Sequence, residues 1–341
     1  MRKLTAFELL VMHLINGKSK GTVLEQNFWT DIYSVNPMKI LKKLIDDGII
    51  IEKSDLNLTL TKLKNPELKE LLKANKLKLT GNKTELVSRL IENDADLSNV
   101  YLPEVYVINE EYHKVFEDTV FLKDFTYGID VTLDDAYQYY LRHPDKSELE
   151  IKSGTYIDRL KYWMNSNEHM AVYQLRTLNS TLARIYFQYQ ENEQGFYYLN
   201  CYNLISIILD FRNYIEYHEY NHRHLNASVS QTDLIKYRSA LSNKQFTLSQ
   251  LECNLENSIK PYNFSKKIKD RAIQFMMAFI QDEFVDPKMF VKGLTRRDFN
   301  KDEANNQRIK IELNVNEDEE YFPIRKVSEN KVKKKKRFWL F

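Results

Sequence analysis

The chain has 341 residues, 43% hydrophobic and 29% charged, which is the composition of a globular, soluble protein and enough length for two or three domains. No apolar run approaches the roughly 18 residues of a membrane span, and the opening MRKLTAFELLVMHLING has no small-residue cleavage site, so neither a membrane-spanning nor a secreted chain is expected. The formal net charge of +2 hides a strong asymmetry: residues 1–95 hold 16 basic and 12 acidic side chains, residues 94–150 hold 4 and 14, and KVKKKKRFWLF at the end holds six basic and none acidic.

Leu4, Phe7, Leu10, Val11, Leu14 and Ile15 recur at helical spacing, and GKSKG breaks the run. Ser34 to Pro37 reads as a turn into a helix over 38–46, with Ile40, Leu41 and Leu44 as its apolar stripe and Gly48 as its C-terminal cap. A β-branched strand over 49–52 follows. Helix, helix, glycine, strand is the order of a winged helix-turn-helix, and L-x-x-L-x-x-x-G-I-I resembles the end of its recognition helix. LNLTLTKL, residues 56–63, begins with period-two alternation and is expected to be a wing strand, with a return strand over 101–108. From about Thr132 to Leu294 long helical patterns dominate, glycine nearly vanishes, and tyrosine and phenylalanine line the stripes, predicting a helical bundle or a short helical-repeat domain. The two cysteines, Cys201 and Cys253, lack metal-ligand spacing and are expected to be buried thiols in a reducing cytoplasm.

Between the two expected strands lies KLKNPELKELLKANKLKLTGNKTELVSRLIEN, residues 62–93. Pro66 suits the first turn of a helix, with Leu68, Leu71 and Leu72 on one face. Leu77 and Leu79 alternate through an extended link, and Gly81 lets the backbone turn. Asn82 and Glu85 form a capping box that opens a second helix, whose apolar face is Val87, Leu90 and Ile91. Glu67-Leu68-Lys69, Leu72-Lys73, Leu77, Thr80-Gly81, Lys83, Glu85-Leu86 and Arg89-Leu90 resemble the SAP motif, a helix-extended-helix DNA-binding module. Lys76 departs from it, standing where the family usually has a glycine that caps the first helix. The free N–H groups at the second helix start favour a phosphate. Residues 62–92 hold 8 basic against 4 acidic side chains and no set suited to reading base edges, so contact is expected with the DNA backbone. The candidate DNA-binding residues are Lys76, Lys78, Thr80, Gly81, Asn82, Lys83 and Arg89. The arrangement as a whole resembles uncharacterised SAP-containing proteins of Gram-positive bacteria and their phages.

Two further signals compete. His218-Glu219-Tyr220-Asn221-His222 fits H-E-x-x-H, in which two imidazoles on one helix face hold zinc and the glutamate serves as general base. Its polar setting, Arg223 directly after it and the lack of a third ligand at short spacing weigh against a metal. In the C-terminal tail, Lys333, Lys334, Lys335, Lys336 and Arg337 adjoin Phe338 and Trp339, a pattern that suits docking on an anionic membrane surface or a protein groove.

The expected protein is mainly α. It has a winged-helix-like first part over 1–61, a SAP-like module over 62–93, an acidic return segment over 94–130, a helical domain over 131–295 and a polar segment with the basic aromatic tail over 296–341. Its expected function is that of a cytoplasmic, non-enzymatic accessory or regulatory protein without cofactors, meeting double-stranded DNA through the module and an unidentified protein through the helical domain. The alternatives are a zinc metallopeptidase with a DNA-binding head and a membrane-surface scaffold docked by the tail.

Overall fold

A computed structural model describes residues 2–97, 100, 102–128, 130–166, 168, 170–221, 225, 227–281 and 285–299, the side chains of 217–221 and 297 excepted. The chain is mainly helical, as its periodicity predicts, and the described residues carry a single two-stranded sheet.

Helix α1 (Ala6–Ile15) is the hub of the N-terminal part. Leu9, Leu10, Val11, Met12 and Ile15 are fully buried, so almost its whole circumference is core. Thr5 opens it with a capping box, its hydroxyl accepting from the Glu8 N–H while the Glu8 carboxylate accepts from the Thr5 N–H. Glu8 is only 4% exposed, and its charge is met by Arg2, which donates to both oxygens at 3.0 Å, and by Lys43 at 3.0 Å. Burial pushes this carboxyl up, but the hydrogen bonds from Arg2, Thr5 and Lys43 outweigh it and hold the group at about 2.

A short helix α2 (Phe28–Asp31) leads to α3 (Pro37–Asp46), whose N-cap Asn36 accepts from the N–H groups of Met38 and Lys39 and whose first position is proline. Strand β1 (Ile50–Lys53) follows and pairs antiparallel with β2 (Val105–Ile108), in a register that places Ile50 opposite Ile108 and Lys53 opposite Val105. The expected wing strand does not form. Asp55 accepts from the Leu58 N–H and starts α4 (Leu56–Thr59), and a 3-10 turn over Leu60–Lys62 continues it. Three alternating leucines fit a helical turn as well as a strand, and the aspartate cap decides between them. Thr59 and Leu60 are thereby buried while Leu56 stays exposed.

Helices α5 (Asn65–Ala74) and α6 (Lys83–Glu92) lie between the two strands in the chain. After β2 come α7 (His113–Asp118) and a 3-10 segment over Val120–Phe125, which buries Phe121, Leu122 and Phe125 against α1. Then follow α8 (Leu133–Arg142), α9 (Glu148–Met164), α10 (Ala171–Gln188), α11 (Asn192–Asn221), α12 (Gln231–Ser242), α13 (Leu248–Ile259), α14 (Lys266–Ile280), α15 (Lys288–Val291) and α16 (Arg296–Phe299).

A continuous hydrophobic core runs from Leu4 to Leu294. Helix α8 packs on both α1 and α9, and the Tyr137 hydroxyl donates to the Leu4 carbonyl at 3.1 Å. Lys152 on α9 is nearly buried, bridged by Asp124 and Glu148 and donating to the Tyr189 hydroxyl at 3.0 Å. Helices α10 and α11 pair closely, and α13 and α14 also pack on α11. Polar groups inside this bundle are satisfied: Tyr262 donates to Asn179 and Tyr237 to Asn200, both at 2.8 Å. Cys201 is buried there, and burial pushes its thiol up to about 12, which leaves it unreactive. Cys253, expected to be buried, is instead exposed. The core face of α13 is Leu251, Leu255 and Ile259, and a residue two positions after Leu251 lies on the opposite side.

With so few glycines, the chain ends its helices in an unusual way. Among the described residues, five helices close with the hydrogen-bond pattern of a Schellman motif, in which the sixth residue's N–H reaches back to the first residue's carbonyl: Ile49 to Leu44, Leu77 to Leu72, Ala95 to Leu90, Glu191 to Tyr186 and Gln245 to Ala240. The turn residue has positive φ in each, yet only Gly48 is glycine; the others are Lys76, Asp94, Gln190 and Lys244, at φ 56°, 43°, 62° and 56°. A left-handed L-residue costs roughly 1–2 kcal/mol.

Lys244→Gly should therefore raise stability by up to about 1 kcal/mol, seen as a higher melting midpoint with no change in helix content by circular dichroism. Glu8 makes a second prediction. Its depressed pKa means that its contribution is full above the ordinary value of 4.5 and is lost as pH falls toward about 2. The melting midpoint of the parent should fall through that window, and that of Glu8→Gln, already lower at neutral pH, should fall less.

Candidate nucleic-acid interface

The segment between β1 and β2 builds its own small core. Leu60, Leu68, Leu72, Leu86, Val87 and Leu90 are buried against one another, with Leu63, Leu71, Leu77 and Ile91 packed around them. Leu68 and Leu72 are four apart on α5, and Leu86 and Leu90 four apart on α6, so each helix offers one stripe and neither buries it alone. The 3-10 turn carrying Leu60 closes the third side. The module is hung from the ends of the two strands: the Ser54 hydroxyl donates to the Leu102 carbonyl at 2.9 Å and the Thr59 hydroxyl to the Pro103 carbonyl at 3.2 Å.

At the end of α5, Lys76 takes the left-handed turn that the motif assigns to glycine, so the substitution leaves the path of the chain unchanged and adds an exposed cation. Leu77, next in line, tucks back onto the module core. Asn75 then ties this end to the chain beyond α6. Its amide donates to the Leu71 carbonyl at 2.9 Å and the Asp96 carbonyl at 3.3 Å, and its oxygen accepts from the Asp96 N–H at 2.7 Å.

At the start of α6, Gly81 has φ 137°, and a Cβ there would lie 2.4 Å from the Glu85 carboxylate. The Glu85 carboxylate is the far end of a flexible side chain and could shift, but the positive φ is one that L side chains rarely adopt, and this favours glycine here. The Asn82 side chain accepts from the Glu85 N–H at 3.1 Å, and the Glu85 carboxylate accepts from the Asn82 N–H at 3.2 Å and its amide at 3.0 Å. The capping box expected from the sequence is thus formed. The N–H groups of Lys83 and Thr84 lie in the first turn of the helix outside the box, at the positive end of its dipole.

Lys76, Lys78, Thr80, Gly81, Asn82 and Lys83 are all exposed and follow one another along the link and the helix start. No ion pair engages Lys76, Lys78 or Lys83 among the described residues. Arg89 is placed differently from the other candidates. It is half-buried, and its Nη1 donates to the Lys78 carbonyl and, at 3.1 Å, to the Thr80 carbonyl. The sequence reading missed Asn75 and the stabilising turn at Leu60. Asp55, a helix-start signal, could have revealed the turn; nothing local could have paired Asn75 with a residue 21 positions away.

The competing signals fall elsewhere. His218 lies in the backbone of α11, its side chain is outside what is described, and His222 is outside the described residues altogether. No group of three His, Cys, Asp or Glu side chains that could hold a metal occurs among the described residues, and no described helix is long and apolar enough to cross a membrane. The tail, from Lys333 to Trp339, lies outside the described residues.

No curated protein and no solved structure matches the chain significantly. One family model does, the SAP domain, over residues 59–95. The match begins three residues before the module read from the sequence, at the turn that contributes Leu60 to its core. Residues 59–95 are a SAP domain, which implies nucleic-acid binding for this part of the chain.

Proposed function

We propose that the chain is a DNA-binding accessory or regulatory protein that meets the phosphate backbone of duplex DNA through the SAP domain and a protein partner through its helical region. The observation that carries the first half is the exposed run from Lys76 to Lys83. Three lysines outside any described ion pair flank a helix start whose first-turn N–H groups have no partner within the capping box. Such a start favours an anion, and lysines on flexible stems neutralise phosphates without reading bases. No arginine or asparagine of the link is arranged as a bidentate reader of a base edge: Asn82 is spent on the cap and Arg89 on the link. Binding is thus led by the backbone, with preference confined to DNA shape such as the narrow minor groove of A/T-rich tracts. The order of three helices and two antiparallel strands around the SAP domain supports a winged-helix-like first part that carries the module in place of a wing. The reading assigns the chain no catalytic step and no cofactor.

Glu85 modulates the site. Its carboxylate caps the helix from the same side that a phosphate would approach, so its charge opposes the ligand while its hydrogen bonds hold the loop. A glutamine keeps the box without the charge.

Two outcomes follow for the intact protein and a short duplex. Lys78→Glu with Lys83→Glu should weaken binding on all sequences alike and reduce the slope of log affinity against log salt by about 1.8, or about 0.9 for each phosphate no longer neutralised, with helix content unchanged. Binding equal to the parent's would place the DNA elsewhere on the chain. Glu85→Gln should tighten binding about two- to fivefold at low salt, the worth of one charge at a helix terminus, and the gain should shrink as salt is raised.

A further inference from the structure

We propose that Arg89 is a positioning residue of the DNA site rather than one of its phosphate contacts: it holds the link between α5 and α6 in its binding shape. This inference rests on the reading of the SAP domain as the DNA contact. One guanidinium nitrogen, Nη1, donates to the carbonyls of both Lys78 and Thr80. The two N–H groups of one nitrogen reach both carbonyls, which fits two carbonyls two residues apart pointing the same way, as alternate peptide groups do in an extended chain. The clamp therefore fixes which edge of the link faces α6. It also places the Lys78 and Thr80 side chains, two apart, on a common face.

The rest of the link is held independently. Asn75 ties its near end to Asp96, and the box of Asn82 and Glu85 ties its far end to α6. Between these anchors, Leu79 is 37% exposed and contributes little packing, and Thr80 and Gly81 are exposed. Arg89 is the side chain that fastens this middle stretch to the helix. Its bonds are charge-assisted, yet neutral carbonyls leave the charge uncancelled, so the guanidinium stiffens the link and keeps a positive field under it. A link already in its bound shape avoids the ordering entropy that a loose one loses on binding.

The test compares the parent, Arg89→Ala and Arg89→Lys as full chains. Each is titrated with a short duplex across a salt series and followed by amide hydrogen exchange without DNA. For Arg89→Ala the expected result is faster exchange confined to residues 78–82, an unchanged melting midpoint, and about tenfold weaker binding. The salt slope should stay within about half a unit of the parent's. Arg89→Lys should recover part of both the protection and the affinity. A slope lower by about 0.9 with exchange unaltered would make Arg89 a phosphate contact and overturn the proposal. So would full recovery of affinity in Arg89→Lys with exchange as fast as in Arg89→Ala, because the charge alone would then suffice. A parent that does not bind the duplex overturns the functional reading as well, whereas unchanged affinity in Arg89→Ala beside a binding parent overturns this inference alone.

Discussion

Each helix leaves unpaired N–H groups at its start and carbonyls at its end, and satisfying them with few glycines shapes the described part of this chain. Capping boxes open α1, α6, α8, α9 and α13 from Thr5, Asn82, Thr132, Ser147 and Thr247. Left-handed residues other than glycine close α5, α6, α10 and α12. The candidate interface is a product of the same rule. The end of α5 must turn at Lys76, the start of α6 must be capped across Gly81, and the exposed link is what lies between these two obligations. A helix start that keeps some donors outside its cap favours an anion.

The N-terminal part and the helical region share a core, which bears on how the SAP domain is carried. The module has its own cluster of six buried residues and hangs from β1 and β2, whereas those strands lie against the core that α1 organises. The buried Glu8, with Arg2 and Lys43 on it, fastens α1 to α3 just before β1 begins. Breaking one partner of such a site leaves a charge without compensation and loosens the platform beneath the module. The module is thus a small unit on a large base.

Much of this is legible in the sequence where a local rule acts alone. The α6 start, with Asn82 and Glu85 three apart behind Gly81, announces itself, as does α3 between Pro37 and Gly48. The long helices after Thr132 follow from their period. Legibility fails where two local rules fit the same residues, or where the partner is distant. LNLTLTKL satisfies strand alternation and a capped helical turn alike, and the Asp55 cap just before it decides for the turn. Cys253 is misplaced when residue type outweighs helix phase. The motif marks Arg89 as a site residue but does not show its bonds to the Lys78 and Thr80 carbonyls, which depend on how the link folds back over α6. The staple from Asn75 to Asp96 has no sequence signature at all.

If duplex DNA lies on the link and the start of α6, amide hydrogen exchange of the intact chain, compared with and without a saturating duplex at low salt, should show protection concentrated in residues 76–84 that fades as salt is raised. Binding without protection there, or protection centred on another part of the chain, would contradict that placement.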